Sequence, residues 1–307
     1  MSFSKSTKSE LAAAEIPDEA AKQALVYGMV LFSKHFSPWR ISFTTESRAA
    51  AMLYSGQLSA LTTAIVEVDT RLTRRGEDSQ LYHLCVPDSG DCARIFDRFG
   101  HMSGDLSLRI NRANIEDDTA VACFLRGAFL VCGSVSSPEK DYHLEYVIPH
   151  MNLAKDLIRV VGEVEVLHSE PKLVRRKGSY VVYIKGSEAI ADILTYMGAP
   201  MASLDIIQQK MLRSVRNKVN RQINSETANS NKTAAASARQ VAAIEKIRDK
   251  RGLSCLSDEL RELAQLRLDN PEYNLRELGE ALSTPISRSG VNHRLMRIME
   301  IAQELEN

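Results

Sequence analysis

The sequence predicts an α+β protein in three parts. These are an N-terminal domain over residues 1–204 built from a duplicated αββαββα unit, a basic helical linker over 205–255, and a C-terminal all-α domain over 256–307. Three observations predict it. A pattern of strands and helices recurs after about one hundred residues, positive charge accumulates after residue 204, and the last part carries three apolar helical stripes separated by turn signals.

The opening stretch, MSFSKSTKSELAAAEIPDE, alternates polar and charged residues and lacks the apolar core of a signal peptide. No later stretch approaches the ~18 consecutive apolar residues of a membrane span. The first copy of the repeat, about 22–100, begins with the apolar helix LVYGMVLFS at 25–33. The second, about 122–198, begins with LRGAFLVCG at 125–133. Strand-like ISFTTES (41–47) matches YHLEYVI (142–148), each alternating as a half-buried strand does. Helical RAAAMLYSGQLSAL (48–61) and MNLAKDLIRVVGEV (151–164) follow. Each copy then has a hairpin introduced by an arginine pair: Arg74 and Arg75 in RLTRRGEDSQLYHLCVP, Arg175 and Arg176 in KLVRRKGSYVVYIKG. A last helix closes each copy, ending at Gly100 and Gly198, where glycine caps a C-terminus.

In the linker, eleven Lys or Arg stand against four Asp or Glu, a net of +7, within a chain whose formal net charge is zero. Met211, Val215, Val219 and Ile223 recur at helical spacing through the asparagine-rich run NKVNRQINSETANSNKT. Alanine-rich TAAASARQVAAIEKI reads as a second helix ending at Gly252. Arg216, Asn220 and Arg221 suit phosphate or base-edge hydrogen bonds, and equally suit helix caps and polar domain interfaces.

Three helices make up the C-terminal domain. SDELRELAQLRLDNPEY starts at Ser257 or Asp258 and stops at Pro271, NLRELGEAL follows, and STPIS makes the turn. Ser287 caps the third helix, whose Val291, Leu295, Ile298, Ala302 and Leu305 form a buried stripe. This is a helix-turn-helix over 274–307, and its third helix has a polar first half: Ser287, Arg288, Ser289, Asn292, His293, Arg294 and Arg297. Arginine can grip guanine O6 and N7, and asparagine can do the same for adenine. Residues 256–307 carry six Arg against ten acids, a net of −4, which fits a plain packing domain; charge on the presented face argues the other way.

Five scattered cysteines without a CxxC pair, and seven histidines without metal-ligand spacing, point to a reduced cytoplasmic protein with no metal, cofactor or disulfide framework. The duplicated unit with a glycine-bearing nine-residue first helix resembles the LAGLIDADG homing-endonuclease fold, matching at Leu125, Gly127 and Gly133. The same helix places Leu125, Ala128, Phe129 and Cys132 at i, i+3, i+4 and i+7, the spacing of any buried face. The resemblance implies a metal-holding acid at the eighth motif position. Cys132 stands there in the second copy, and Phe32 in the first at a one-hundred-residue offset. Phenylalanine cannot bind a hard cation, and cysteine sulfur is a poor ligand for magnesium. A nuclease would need other acids, such as Glu46 or Glu145.

With a helix-turn-helix behind that domain, the chain resembles the WhiA family of Gram-positive bacteria along nearly its whole length. The stretches that carry it are MSFSKSTKSEL, LRGAFLVCGSVSSPEKDYHLE, SVRNKVNRQINSETANSNKT, LRELAQLRLDNPE and ISRSGVNHRL. The resemblance implies a transcriptional regulator of cell division, chromosome segregation or sporulation that binds double-stranded DNA at the nucleoid without nuclease activity. Another transcription factor or RNA polymerase would be its protein partner. Under it, Arg288, Asn292, His293, Arg294 and Arg297 become candidate base contacts. Arg74, Arg75, Arg175, Arg176, Arg216, Asn220 and Arg221 become candidate phosphate contacts. A division-associated interaction protein with nonspecific DNA binding is the remaining alternative. Oligomeric state stays open.

Overall fold

The computed structural model describes residues 2–72, 80–105 and 107–305. They form two compact units, Met1–Arg213 and Ser214–Asn307.

In the first unit the predicted duplication is present element by element. After α1 (Phe3–Ala13), the first copy runs α2 (Glu19–Leu31), β1 (His35–Ser37), β2 (Arg40–Thr45), α3 (Arg48–Thr62), β3 (Glu67–Leu72), β4 (Gln80–Val86) and α4 (Ser89–Arg98). The second runs α5 (Asp118–Cys132), β5 (Gly133–Val135), β6 (His143–Ile148), α6 (Met151–Glu163), β7 (Lys172–Arg176), β8 (Ser179–Lys185) and α7 (Ser187–Met197). Each copy folds into a four-stranded antiparallel sheet of the same order, β1-β2-β4-β3 and β5-β6-β8-β7. Phe43 pairs with Leu84 in one register and Leu144 with Ile184 in the other, and all four side chains are buried. Alternation along these strands thus gives each sheet one apolar face, covered by helices.

Helices α2 and α5 pack against each other through the middle of the unit. Gly28 and Gly127 let them approach: a Cβ on Gly28 would collide with the Phe124 carbonyl oxygen, and one on Gly127 with that of Leu25. Each glycine faces the carbonyl three residues before the other. The pair therefore marks the local two-fold relation between the copies.

Helix α1, hidden in a polar stretch of sequence, is held by tertiary contacts. Buried Arg126 of α5 donates to the carbonyls of Glu15 (2.9 Å) and Ala14 (2.6 Å) just beyond it. Lys8 Nζ donates to the Leu130 carbonyl (3.1 Å), and the Glu10 carboxylate accepts from the amides of Met201 (2.7 Å) and Ala202 (3.0 Å). Those two amides open α8 (Pro200–Arg251).

Where the sequence suggests two linker helices, α8 is continuous over 52 residues. The asparagine-rich run lowers helix propensity, but no Gly or Pro lies between Met201 and Arg251 to stop the helix. Gly252, with φ +74°, ends it. The stripe Met211, Val215, Val219 and Ile223 is exposed rather than packed.

The second unit contains the C-terminal part of α8, then α9 (Asp258–Asp269), α10 (Leu275–Ala281) and α11 (Arg288–Glu304). Its core is Ile244 and Ile247 of α8 with Leu256, Leu263, Leu278, Val291, Leu295, Ile298 and Ala302. Asn274 and Glu277 form a capping box on α10, and Ser287 Oγ accepts from the Gly290 amide at the start of α11. At Gly279 the turn closes on α10: a Cβ would meet the Ile286 carbonyl, whose own amide donates to Gly279 O (3.1 Å). Among the described residues, no helix is long and apolar enough to cross a membrane.

Candidate nucleic-acid interface

Two places in the molecule carry residues of a recognisable functional motif. The first is the foot of the paired helices. Because Gly28 corresponds to Gly127, the counterpart of Cys132 is Ser33. Phe32, which the uniform one-hundred-residue offset puts there, is a correction: it caps α2, is buried, and meets the Phe124 ring edge-on. Ser33 Oγ donates to the Met29 carbonyl (2.8 Å) and lies 3.2 Å from Tyr54 Oη. On the other side, burial pushes the Cys132 thiol up to about 12, so it is neutral near pH 7. Burial likewise brings the nearby Lys8 ammonium down to about 8. These groups are a hydroxyl, a neutral thiol and an amine. None offers the hard anionic oxygens that divalent magnesium prefers.

Of the alternative acids, Glu145 on β6 lies 3.2 Å from His143 Nε2, 3.3 Å from Ser134 Oγ and 3.7 Å from Arg176. Glu46 follows β2 of the other sheet and is exposed. Among the described residues, no group of three or more His, Cys, Asp or Glu is gathered as a metal site.

The second place is α11. Its buried stripe, Val291, Leu295, Ile298 and Ala302, fixes which side faces the core. Arg288, Ser289, Asn292, His293, Met296 and Arg297 are exposed. Arg288, Ser289, Asn292 and His293 line one shallow surface with Leu275, Met296 and Glu300. Two of the sequence-predicted contacts have other partners. Arg294 sits at the edge of the buried stripe, its side chain 25% exposed, 2.6 Å from Glu259 of α9. Arg297 pairs with Glu300 at 2.9 Å. Helical spacing puts Arg294 about 60° from Arg297 around the helix and nearer the core, although the sequence pattern groups it with the presented face. The structure thus gathers Arg288, Ser289, Asn292 and His293 and moves Arg294 away from them.

Residues 219–302 match the family model of the WhiA C-terminal HTH domain, and residues 121–216 that of the WhiA LAGLIDADG-like domain. The chain is 36% identical over 318 residues to the probable cell division protein WhiA of Thermoanaerobacter pseudethanolicus, covering 100% of this chain and 98% of that protein. The chain belongs to the WhiA family. The probable cell division protein WhiA of Clostridium perfringens strain 13 is 36% identical over 314 residues, covering 99% of this chain and 98% of that one. The crystal structure of full-length DUF199/WhiA from Thermatoga maritima shares the fold, with a TM-score of 0.60 at 24% identity over 99% of both chains.

Within this WhiA-family fold the candidate phosphate contacts fall in three groups. Arg74 and Arg75 lie outside the described residues. Arg175 and Arg176 are exposed on β7, with Arg176 directed to Glu145. Arg216, Asn220 and Arg221 are exposed on α8. Sequence reasoning missed Lys232 and Arg276, which share a groove with Arg288 and Asn292. They lie 44 residues apart in sequence, so only the fold brings them together.

Proposed function

We propose that this WhiA-family chain is a sequence-specific DNA-binding regulator of cell division, chromosome segregation or sporulation genes, and that it does not cut DNA. It would act on duplex DNA at the nucleoid in the cytoplasm, alongside another transcription factor or RNA polymerase. The observation that carries this reading is the outer face of α11. There, Arg288, Ser289, Asn292 and His293 stand exposed beyond a stripe that fixes the helix against α9 and α10. No carboxylate lies within ion-pair distance of Arg288 among the described residues. A helix presented in this way fits the major groove, with arginine and asparagine forks available for guanine and adenine.

The absence of cutting is supported by the foot of α2 and α5, where Ser33 is hydrogen-bonded within the fold and the Cys132 thiol is buried and neutral. The relatives' name, probable cell division protein, supports the biological setting.

Selection from random duplex DNA at about 150 mM salt tests the reading, with wild type beside Asn292→Ala. An enriched short motif that the variant no longer enriches is the expected result. A motif recovered equally well by the variant would remove α11 from the recognition surface. Supercoiled plasmid incubated with magnesium or manganese should remain uncut. Cleavage abolished by Glu145→Gln would make the chain a nuclease.

A further inference from the structure

Behind the exposed face of α11 lies a groove walled by the C-terminal half of α8 on one side and the starts of α10 and α11 on the other. Lys232, Arg276, Arg288 and Asn292 line it, and Arg267 and Gln240 form part of its inner wall. No acid is among its lining residues, although acids outnumber arginines ten to six over 256–307. Arg267, Arg276 and Arg288 thus turn positive charge of a net acidic segment toward this groove, and Lys232 joins them from α8.

The groove's cations are incompletely compensated. Lys232 and Arg288 have no carboxylate partner within ion-pair distance among the described residues, while Arg276 pairs with Glu280 at 2.8 Å. Arg267 is 1% exposed, and its Nη1 donates to the Tyr273 carbonyl at 2.6 Å. Its Nε has no partner, and neither does Gln240 Oε1. A buried guanidinium held only by neutral acceptors keeps its charge at a cost that a nearby anion would reduce. The groove also adjoins the first turn of α11, the positive end of a 17-residue helix.

We propose that this groove seats one backbone phosphate of the duplex, held between Lys232 of α8 and Arg288 of α11. This rests on the reading of α11 as the groove-entering helix and extends the DNA-binding surface to α8. Lys232 contributes affinity without base preference, because a phosphate carries no sequence information. Arg288 serves both the seat and the edge of the reading face.

The test uses the full chain and duplex carrying its enriched site, titrated at several salt concentrations. Lys232→Ala should bind every duplex about five- to tenfold more weakly, with the slope of log affinity against log salt smaller by about one. Lys232→Arg should restore both. Lys232 is exposed, so its melting curve serves as a control for intact folding. A second arm replaces single phosphates with neutral methylphosphonates. One position should weaken wild type clearly more than it weakens Lys232→Ala, which keeps only the Arg288 contact to that phosphate.

If Lys232→Ala keeps wild-type affinity and slope while wild type still selects its site, the phosphate seat is wrong and the reading of α11 stands. If Lys232→Ala changes which sequences are preferred, the residue reads bases, and the seat is equally wrong. If wild type shows no affinity for duplex, the reading of α11 fails and takes the seat with it.

Discussion

The foot of α2 and α5 and the outer face of α11 both carry residues that sequence motifs single out, but the fold treats them in opposite ways. At the helix foot, Ser33 is bonded to Met29 and near Tyr54, and Cys132 is buried as a neutral thiol. Each polar group there already has a use inside the protein. On α11, Ser289, Asn292 and His293 are exposed, and their side chains make no hydrogen bond or ion pair among the described residues. The difference separates a site absorbed into the core from a surface left open for a partner. It also says where substitutions should change stability and where they should change binding.

The largest effect is expected at the helix crossing. Gly127→Val places a side chain against the Leu25 backbone, which no rotamer change can relieve. It should cost about 3 kcal/mol or more, seen in urea unfolding or as loss of soluble protein. Near-normal stability would mean that α2 and α5 are not in such close contact.

On the open surface the expected change is in binding alone. Asn292→Ala or Arg288→Ala should lose about 1–3 kcal/mol of specific affinity, roughly five- to 150-fold, with an unaltered melting curve. Destabilisation by Asn292→Ala would place that side chain with the core and erase the contrast.

Lys8 sharpens the contrast through pH. Its folded value of about 8 lies below the ordinary 10.5, so between these values the unfolded chain binds more protons than the folded one. Stability should therefore rise with pH across that window, relative to a Lys8→Met variant, and the difference between them should be flat below about 8. The expected gain is on the order of 3 kcal/mol, read from unfolding curves at stepped pH. A flat difference up to pH 10.5 would show the ammonium to be solvated.

The smallest effect is expected for Arg294→Ala. The Glu259 partner is well exposed, so the pair should contribute about 0–1 kcal/mol. The selected DNA motif should be unchanged. Loss of the motif with stability intact would return Arg294 to the reading face.

Much of this was legible in the sequence because it is periodic. Strand alternation located β2, β4, β6 and β8, and the apolar stripe with Ser287 located α11. Glycines at the helix crossing were visible as small residues, but their register was not. The copies differ by 99 positions at the crossing glycines and by 103 at the starts of β2 and β6, so no uniform offset aligns both. That is why Phe32 stood where Ser33 belongs. Arg294 was misplaced because a polar residue beside a buried stripe looks the same in sequence whether it faces solvent or an acid on a neighbouring helix. Lys232 meets Arg288 only through the fold. Helix α1 was missed for a related reason: its partners lie far away in the chain.

That distance has a consequence for biosynthesis. Helix α1 leaves the ribosome before its partners: Arg126, which grips its end, comes 111 residues after Glu15, and the amides that Glu10 accepts from come 191 and 192 residues after it. At ordinary translation rates, the opening segment must wait roughly 10–40 s before its last contacts exist. It is made well before its partners and is among the last parts of its unit to dock.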